Sequence, residues 1–149
     1  MELTRASGIL LHPTSFPGPY GIGELGDAAY DFVDYLAEAK QSLWQVLPLG
    51  PTGYGDSPYA SFSTFAGNPL LISPQLLIGD GLLDERDLAS ETALPDEWVD
   101  YVNVIPHKRR QLRLAFDNHL ERTGGLGRDV DDFRHRNRGW LDDYALFAA

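Results

Sequence analysis

A chain of 149 residues, 43% hydrophobic and 23% charged, is long enough to bury one core and is not composed like a disordered segment. Its formal net charge of −10 makes a surface that repels phosphate backbones and argues against nucleic acid as a partner. It contains no cysteine, which excludes a disulfide framework, a zinc–thiolate centre and a thiol nucleophile.

Gly8-Ile9-Leu10-Leu11 predicts a short buried strand, ended by His12-Pro13. A polar loop rich in proline and glycine follows, through Thr14, Ser15, Pro17, Gly18 and Pro19. From Asp27 onward, Ala29, Phe32, Val33, Leu36 and Ala37 recur at the spacing that places them on one stripe of a helix. Asp31, Asp34 and Glu38 fall largely off that stripe. Leu43-Trp44-Gln45-Val46-Leu47 predicts a second strand, closed by Pro48. Strand, helix and strand in succession form a βαβ unit, whose two strands pair in parallel.

Leu49 to Asn68 has neither helical nor strand periodicity and carries Gly50, Pro51, Gly53, Gly55, Pro58 and Gly67. Ordered loops of this length are uncommon and usually functional. The loop leaves the C-terminal end of a strand, where open α/β sheets and α/β barrels build their sites. Beyond it, Ser73-Pro74 has the pattern of a helix start, with serine as N-cap and proline in the first position. Asp84 to Ala89 predicts a short helix. Ile105 to Arg122 predicts a long one, with Leu112, Phe116 and Leu120 in helical register and Thr123-Gly124-Gly125 as its stop. Asp129 to Arg136 and Trp140 to Phe147 are two further helical stretches. The change of character after Gly81 divides the chain into residues 1–80, holding the loop 49–68, and a charged helical part at residues 81–149. The last stretch is still apolar at Ala149, which a finished domain seldom leaves bare, so the expectation is a domain cut before its end.

The apolar runs Leu70 to Ile72 and Leu76 to Ile78 are far too short to span a bilayer. Met1-Glu2-Leu3-Thr4-Arg5 lacks the basic start and apolar stretch of a signal peptide, so a cytoplasmic location is expected. Gly21-Ile22-Gly23-Glu24-Leu25-Gly26 matches the dinucleotide-binding glycine pattern, but the context fails. The motif must follow its strand directly, and here His12 to Tyr20 intervene. The acidic residue expected about twenty positions further on is also missing. The glycines are better explained by a tight turn into the helix.

Tyr54, Tyr59, Phe62 and Phe65 stand in the long loop beside Asp56, Ser57, Ser61, Ser63 and Asn68. Sugars present flat C–H faces and a ring of hydroxyls, so a carbohydrate site needs aromatic platforms beside short polar groups. Phe62 and Phe65, with no polar handle, are expected to pack the loop down. Tyr54 and Tyr59, each with a hydroxyl among glycines and small polar neighbours, are expected to meet a ligand. Asp56 is the only acid in the loop; an aspartate in such a turn commonly bonds nearby backbone, and it is also expected to bind substrate, together with Tyr54, Ser57 and Tyr59. Glycoside chemistry needs a pair of carboxylates, and no pair assembles here. Glu24, Asp27 and Asp31 are explained by a favourable helix dipole. His12 could line the same face as the loop or make a structural hydrogen bond. His107, Lys108, Arg109, Arg110 and Arg113 form a basic cluster, read as a solvated face or as internal ion-pair partners.

Several stretches together resemble the amylomaltase family of 4-α-glucanotransferases. They are Arg5-Ala6-Ser7-Gly8-Ile9-Leu10-Leu11-His12-Pro13-Thr14-Ser15, Gly18-Pro19-Tyr20-Gly21-Ile22-Gly23, the run from Trp44 through Tyr59, and Phe65-Ala66-Gly67-Asn68-Pro69. A looser match continues through Ile105-Pro106-His107-Lys108-Arg109 and from Trp140 to Phe147. The resemblance implies an α/β fold, the first βαβ part of a (β/α)8 TIM-type barrel with part of an inserted helical subdomain. It implies transfer of α-1,4-glucan segments between maltooligosaccharides by a retaining double displacement, with no metal or organic cofactor. By the same resemblance Ser57 and Tyr59 contact glucan near the scissile bond, and Tyr54 touches it in the cleft or at a neighbouring surface. Ala60 and Leu70 depart from the family pattern, where a polar residue and an aromatic are common. The family's catalytic carboxylates have no counterpart in these residues, so the chain alone is expected to be inactive, with the remainder of the same enzyme as its partner. The alternative is a stand-alone glucan-binding module or a gene remnant.

Overall fold

The computed structural model describes residues 5–88, 94–95, 97–125 and 127–149. Met1 to Thr4, and Ala89 at the end of the short helix expected from Asp84, lie outside them.

Strand β1 (Gly8–Leu10) pairs in parallel with β2 (Leu43–Gln45), Gly8 against Leu43, Ile9 against Trp44 and Leu10 against Gln45. Helix α1 (Asp27–Glu38) makes the crossover, so the expected βαβ unit is present. Gly8 is needed for the pairing, because a Cβ there would run into the carbonyl oxygen of Leu43.

The expectation of a buried first strand is corrected, and the second is exposed as well. Leu10 and Leu43 are 57% and 58% exposed. Among the described residues the sheet has only two strands, so each keeps an outer edge, and α1 covers one face. On that face Phe32 of α1 meets Phe16 and Trp44, with ring centroids 5.4 and 5.3 Å apart. The Trp44 indole N–H donates to the Leu11 carbonyl at 2.7 Å, which fixes the ring at the end of β1. Ala29 and Leu36 are the buried positions of α1, while Val33 of the predicted stripe faces outward beside Tyr30 and Tyr35.

Helix α2 (Pro74–Gly79) starts as its sequence requires, with the Ser73 hydroxyl accepting from the Leu76 amide at 3.4 Å and proline in the first position. The stretch after Asp84 forms a 3-10 turn, Glu85–Leu88. Helix α3 (Tyr101–Thr123) begins a turn earlier than Ile105. Proline is best suited to a helix start, so Pro106 marks the wrong beginning; the helix carries it inside at the loss of one backbone hydrogen bond. The helix stops at Gly124, in the left-handed conformation at φ 67°, whose amide donates to the Leu120 carbonyl at 2.9 Å. Helices α4 (Gly127–Arg136) and α5 (Leu141–Ala148) follow.

Ile22, Leu70 and Val104 form the apolar core, with Leu94, Val99, Tyr101 and Ile105 packed against it. These residues come from both sides of position 80. Helix α3 docks through polar groups as much as apolar ones. From one face of the helix, Lys108 Nζ donates to the Ile72 carbonyl at 2.6 Å and Asn118 Nδ2 to that of Leu82 at 2.7 Å. Arg122 donates to the carbonyls of Asp80 and Gly81 at 2.9 and 2.8 Å. These last carbonyls lie just past the C-terminal end of α2, where helix backbone oxygens lack partners and cations are favoured.

Lys108 is wholly buried, and its second contact is Glu24 Oε2 at 2.6 Å. The helix-dipole explanation of Glu24 is therefore replaced by an ion pair. The basic cluster divides: Lys108 and His107 are interior, while Arg109, Arg110 and Arg113 lie at the surface.

Candidate functional site

The loop from Leu49 to Asn68 is closed at its base, where the Asn68 amide donates to the Leu49 carbonyl at 2.8 Å. Further out, Thr52 and Ser61 form an antiparallel bridge, and the Phe62 amide donates to the Pro51 carbonyl at 3.3 Å. Residues 53–60 are thereby gathered into a tip that leaves the C-terminal side of β2.

Most of the small polar residues hold the loop itself. Ser61 Oγ donates to the Ser63 carbonyl at 2.8 Å, and Ser63 Oγ accepts from the amides of Phe65 and Ala66 at 3.2 and 3.1 Å. Ser57 Oγ accepts from the Tyr59 amide at 3.3 Å, and Asn68 Oδ1 from that of Leu70 at 3.0 Å. Short side chains of this kind serve the backbone where no ladder does. Ser57 still has its hydroxyl proton to give to a ligand.

At the tip, Tyr54–Asp56 is a 3-10 turn in which Gly55 and Asp56 both take left-handed conformations, at φ 67° and 53°. Glycine does this freely, and aspartate is among the few other residues that tolerate it. The reversal leaves Tyr54 95% exposed, and Tyr59 is 74% exposed. Asp56 is half-buried and turns the other way, onto a cavity of about 700 Å3 between the loop, α3 and α5. Phe62, Arg109, Tyr144 and Phe147 share its wall, and Asp56 is the only acid among the described residues there. Of the four predicted contact residues, then, Tyr54 and Tyr59 are presented to solvent, Asp56 to the cavity and Ser57 to the loop backbone.

The expectation that Phe62 and Phe65 pack down is corrected: the rings are 61% and 70% exposed, and their ring partners are on α5 and at its N-cap, Trp140. Phe62 lies 5.7 Å from Phe147 in an edge-on contact, and Phe65 lies 5.7 Å from Trp140 in a stack. His12 makes a structural hydrogen bond through one ring nitrogen, while its buried Nε2 has no partner among the described residues. Its Nδ1 accepts from the Thr14 amide at 3.3 Å and lies 2.8 Å from Thr14 Oγ1, capping the 3-10 turn Pro13–Ser15. The glycines at 21, 23 and 26 serve packing: Gly21 is left-handed at φ 72°, and a Cβ on Gly23 would collide with the Pro13 carbonyl oxygen.

Tyr101 is the site residue that periodicity misses, because it precedes the predicted start of its helix. Its phenol is held above the usual tyrosine value by burial and then by the Asp56 carboxylate, with the nearby Thr14 side chain acting against them. Thr14 and Tyr101 line a second, smaller cavity of about 390 Å3, and the Asp56 charge reaches the phenol from the larger one. With one carboxylate on its wall and two exposed phenols beside it, this surface is equipped to bind a polyhydroxy ligand, while cleavage of a glycosidic bond takes two carboxylates.

The sequence and the architecture both have counterparts. Residues 11–149 match the glycoside-hydrolase 77 family model, described as 4-alpha-glucanotransferase. The chain is 51% identical over 150 residues to the 4-alpha-glucanotransferase of Thermus thermophilus, covering 100% of this chain and 29% of that protein. It is 44% identical over 151 residues to the chloroplastic/amyloplastic enzyme of the same name from Solanum tuberosum, covering 97% of this chain and 26% of that one. In structure it is similar to an amylomaltase from Streptococcus agalactiae in complex with acarbose, with a TM-score of 0.90 at 42% identity, covering 98% of this chain and 29% of the other. The chain spans under a third of the length of these relatives. On a match running from the end of its first strand to its last residue, the chain belongs to the 4-alpha-glucanotransferase family.

Proposed function

We propose that this chain is the N-terminal portion of a 4-α-glucanotransferase and that its own share of the work is to hold the glucan. The whole enzyme moves α-1,4-glucan segments between maltooligosaccharides by a retaining double displacement. In such a step a carboxylate displaces the leaving chain from the anomeric carbon, a carboxylic acid protonates the departing oxygen, and the incoming 4-hydroxyl then displaces the carboxylate. The family's carboxylates are not matched by residues of this chain, and the rest of the same enzyme is the partner that brings them. Residues 1–80 are read as a barrel segment of the TIM type and 81–149 as part of a helical insertion. A cytoplasmic setting belongs to the same proposal. Among the described residues no helix is long and apolar enough to cross a membrane.

The observation that carries this reading is the pair of exposed phenols, Tyr54 and Tyr59, on a loop braced by its own hydrogen bonds at the C-terminal side of β2. Their rings offer faces to sugar C–H groups, and Ser57 and Asp56 offer partners for hydroxyls. The acarbose complex of the similar amylomaltase supports a ligand built of sugar-like rings. Calorimetric titration of the chain with maltoheptaose tests it. Binding that weakens in Tyr54→Ala and Tyr59→Ala is the expected result. An unmoved titration in both variants removes the loop from the site, and disproportionation of maltotriose by this chain alone removes the division of labour.

A further inference from the structure

We propose that Lys108 is a positioning residue for the glucan cleft: clasped by Glu24 and the Ile72 carbonyl, it sets the wall of α3 that carries Tyr101 and Arg109 across from Asp56. The inference rests on the glucan-binding reading above and adds the device that keeps the two sides of the cleft in register.

A lysine is strongly hydrated and flexible, and is almost never fully buried without a partner. Here it is fully buried and its two acceptors, each at 2.6 Å, come from two separate segments. Glu24 lies in the link that leads into α1, and Ile72 just past the 3-10 turn Pro69–Leu71 that follows the loop. One turn before Lys108 on the same face, Val104 sits in the core, and a further turn back Tyr101 lines a smaller cavity with Thr14. The next residue, Arg109, lines the cavity together with Leu112. A slide or roll of α3 would therefore displace Tyr101 from Thr14 and Arg109 from the Asp56 side in one movement.

Stability alone is a poor reason for such a pair. Removing both charges from water offsets most of their attraction, and apolar residues of similar volume often replace a buried pair without loss. What the ammonium supplies is direction. Its protons must meet two fixed oxygens, which selects one setting of the helix, whereas an apolar stripe tolerates sliding.

The test uses the whole chain with Lys108→Met, Glu24→Gln and the double variant Glu24→Gln/Lys108→Met, which leaves no unpaired charge. Two quantities are read: nuclear Overhauser contacts between the Tyr101 ring and the Thr14 methyl, and the Kd for maltoheptaose corrected for the folded fraction. The expected result is a double variant that melts cooperatively, loses the Tyr101–Thr14 contacts and binds about fivefold or more weakly, the scale of a broken local network. If Lys108→Met does not fold, the double variant decides. Retained contacts with affinity within about twofold of the parent, the limit for independent sites, overturn the proposal. So does a double variant that does not fold, since the pair would then serve the fold as a whole. Should the parent chain bind no maltoheptaose, the glucan reading fails while the Tyr101–Thr14 contacts still decide the role of Lys108.

Discussion

The loop at residues 49–68 and helix α3 distribute their residues in opposite ways. In the loop, two phenols lie 95% and 74% exposed and two phenyl rings lean outward onto α5. In α3, a lysine is wholly buried and a glutamine and a histidine lie beside it in the interior. The loop has no periodic apolar face to bury, so its small polar groups are consumed by its own backbone and its rings are left over as surface. The helix must cover carbonyls left bare by the segment from Ile72 to Leu82, and Lys108, Asn118 and Arg122 reach them. Exposure of large apolar residues and burial of charged ones are the informative departures from the usual pattern. Here one is the feature on which the proposed glucan site rests, and the other joins the parts.

If the contrast is right, deleting a buried charge should disturb the fold far more than deleting an exposed ring. Glu24→Ala leaves the Lys108 ammonium in the interior without its carboxylate, and the expected loss is about 3–5 kcal/mol. Urea unfolding of the variant against the parent measures it, and a loss under about 1 kcal/mol, the scale of an exposed pair, would show that water reaches the ammonium. Phe62→Ala and Phe65→Ala come next. Each removes one ring–ring contact with α5, worth about 0.5–1.5 kcal/mol beyond the area it buries. The same unfolding curves, followed by the fluorescence of Trp140, should report Phe65→Ala most directly, because that indole is its stacking partner. Tyr54→Ala is expected to leave stability within about 0.5 kcal/mol, as surface changes do. Its effect falls on maltoheptaose affinity, by about three- to tenfold for the loss of one ring platform. A Tyr54→Ala variant that unfolds early and still binds would reverse the assignment of the two regions.

The contrast also sorts what could be read from the amino acids alone. The βαβ unit was legible because Ala29, Phe32 and Leu36 repeat at helical spacing between two short apolar runs. Ser73-Pro74 and Gly124 were legible because caps are local chemistry. The loop was legible through its lack of any period, and the exposure of Tyr54 and Tyr59 fits phenols set among glycines and small polar neighbours. Exposure of Leu10 and Leu43 was not, since an apolar run carries no record of how many strands flank it. The Glu24–Lys108 pair was not either: its members are 84 positions apart and each has an adequate local explanation, a helix start for one and a basic cluster for the other. Tyr101 was hidden because it precedes the register of Leu112, Phe116 and Leu120 that marks the helix.

The smallest effect is electrostatic and concerns His107, the neighbour of Lys108. Arg110 donates to its Nδ1 at 3.1 Å, and the Gln111 amide nitrogen lies 2.9 Å from its Nε2. An imidazole that accepts at Nδ1 is neutral; charging it would set a second donor against the guanidinium. Burial lowers its pKa first, the charges of Arg110 and Lys108 add to this, and a bond to the Leu88 backbone opposes them. The unfolded chain, with His107 at its usual 6.5, therefore binds a proton across a window in which the folded chain does not. Stability from this residue is complete above that window and is lost as the pH falls from 6.5 toward the lowered value. In His107→Gln the contribution disappears, so the difference in unfolding free energy between parent and variant should shrink on acidification below 6.5 and stay constant above it. A difference that is flat throughout would place the His107 ring in water, and with it would go the closed interface between α3 and the segment from Ile72 to Leu88.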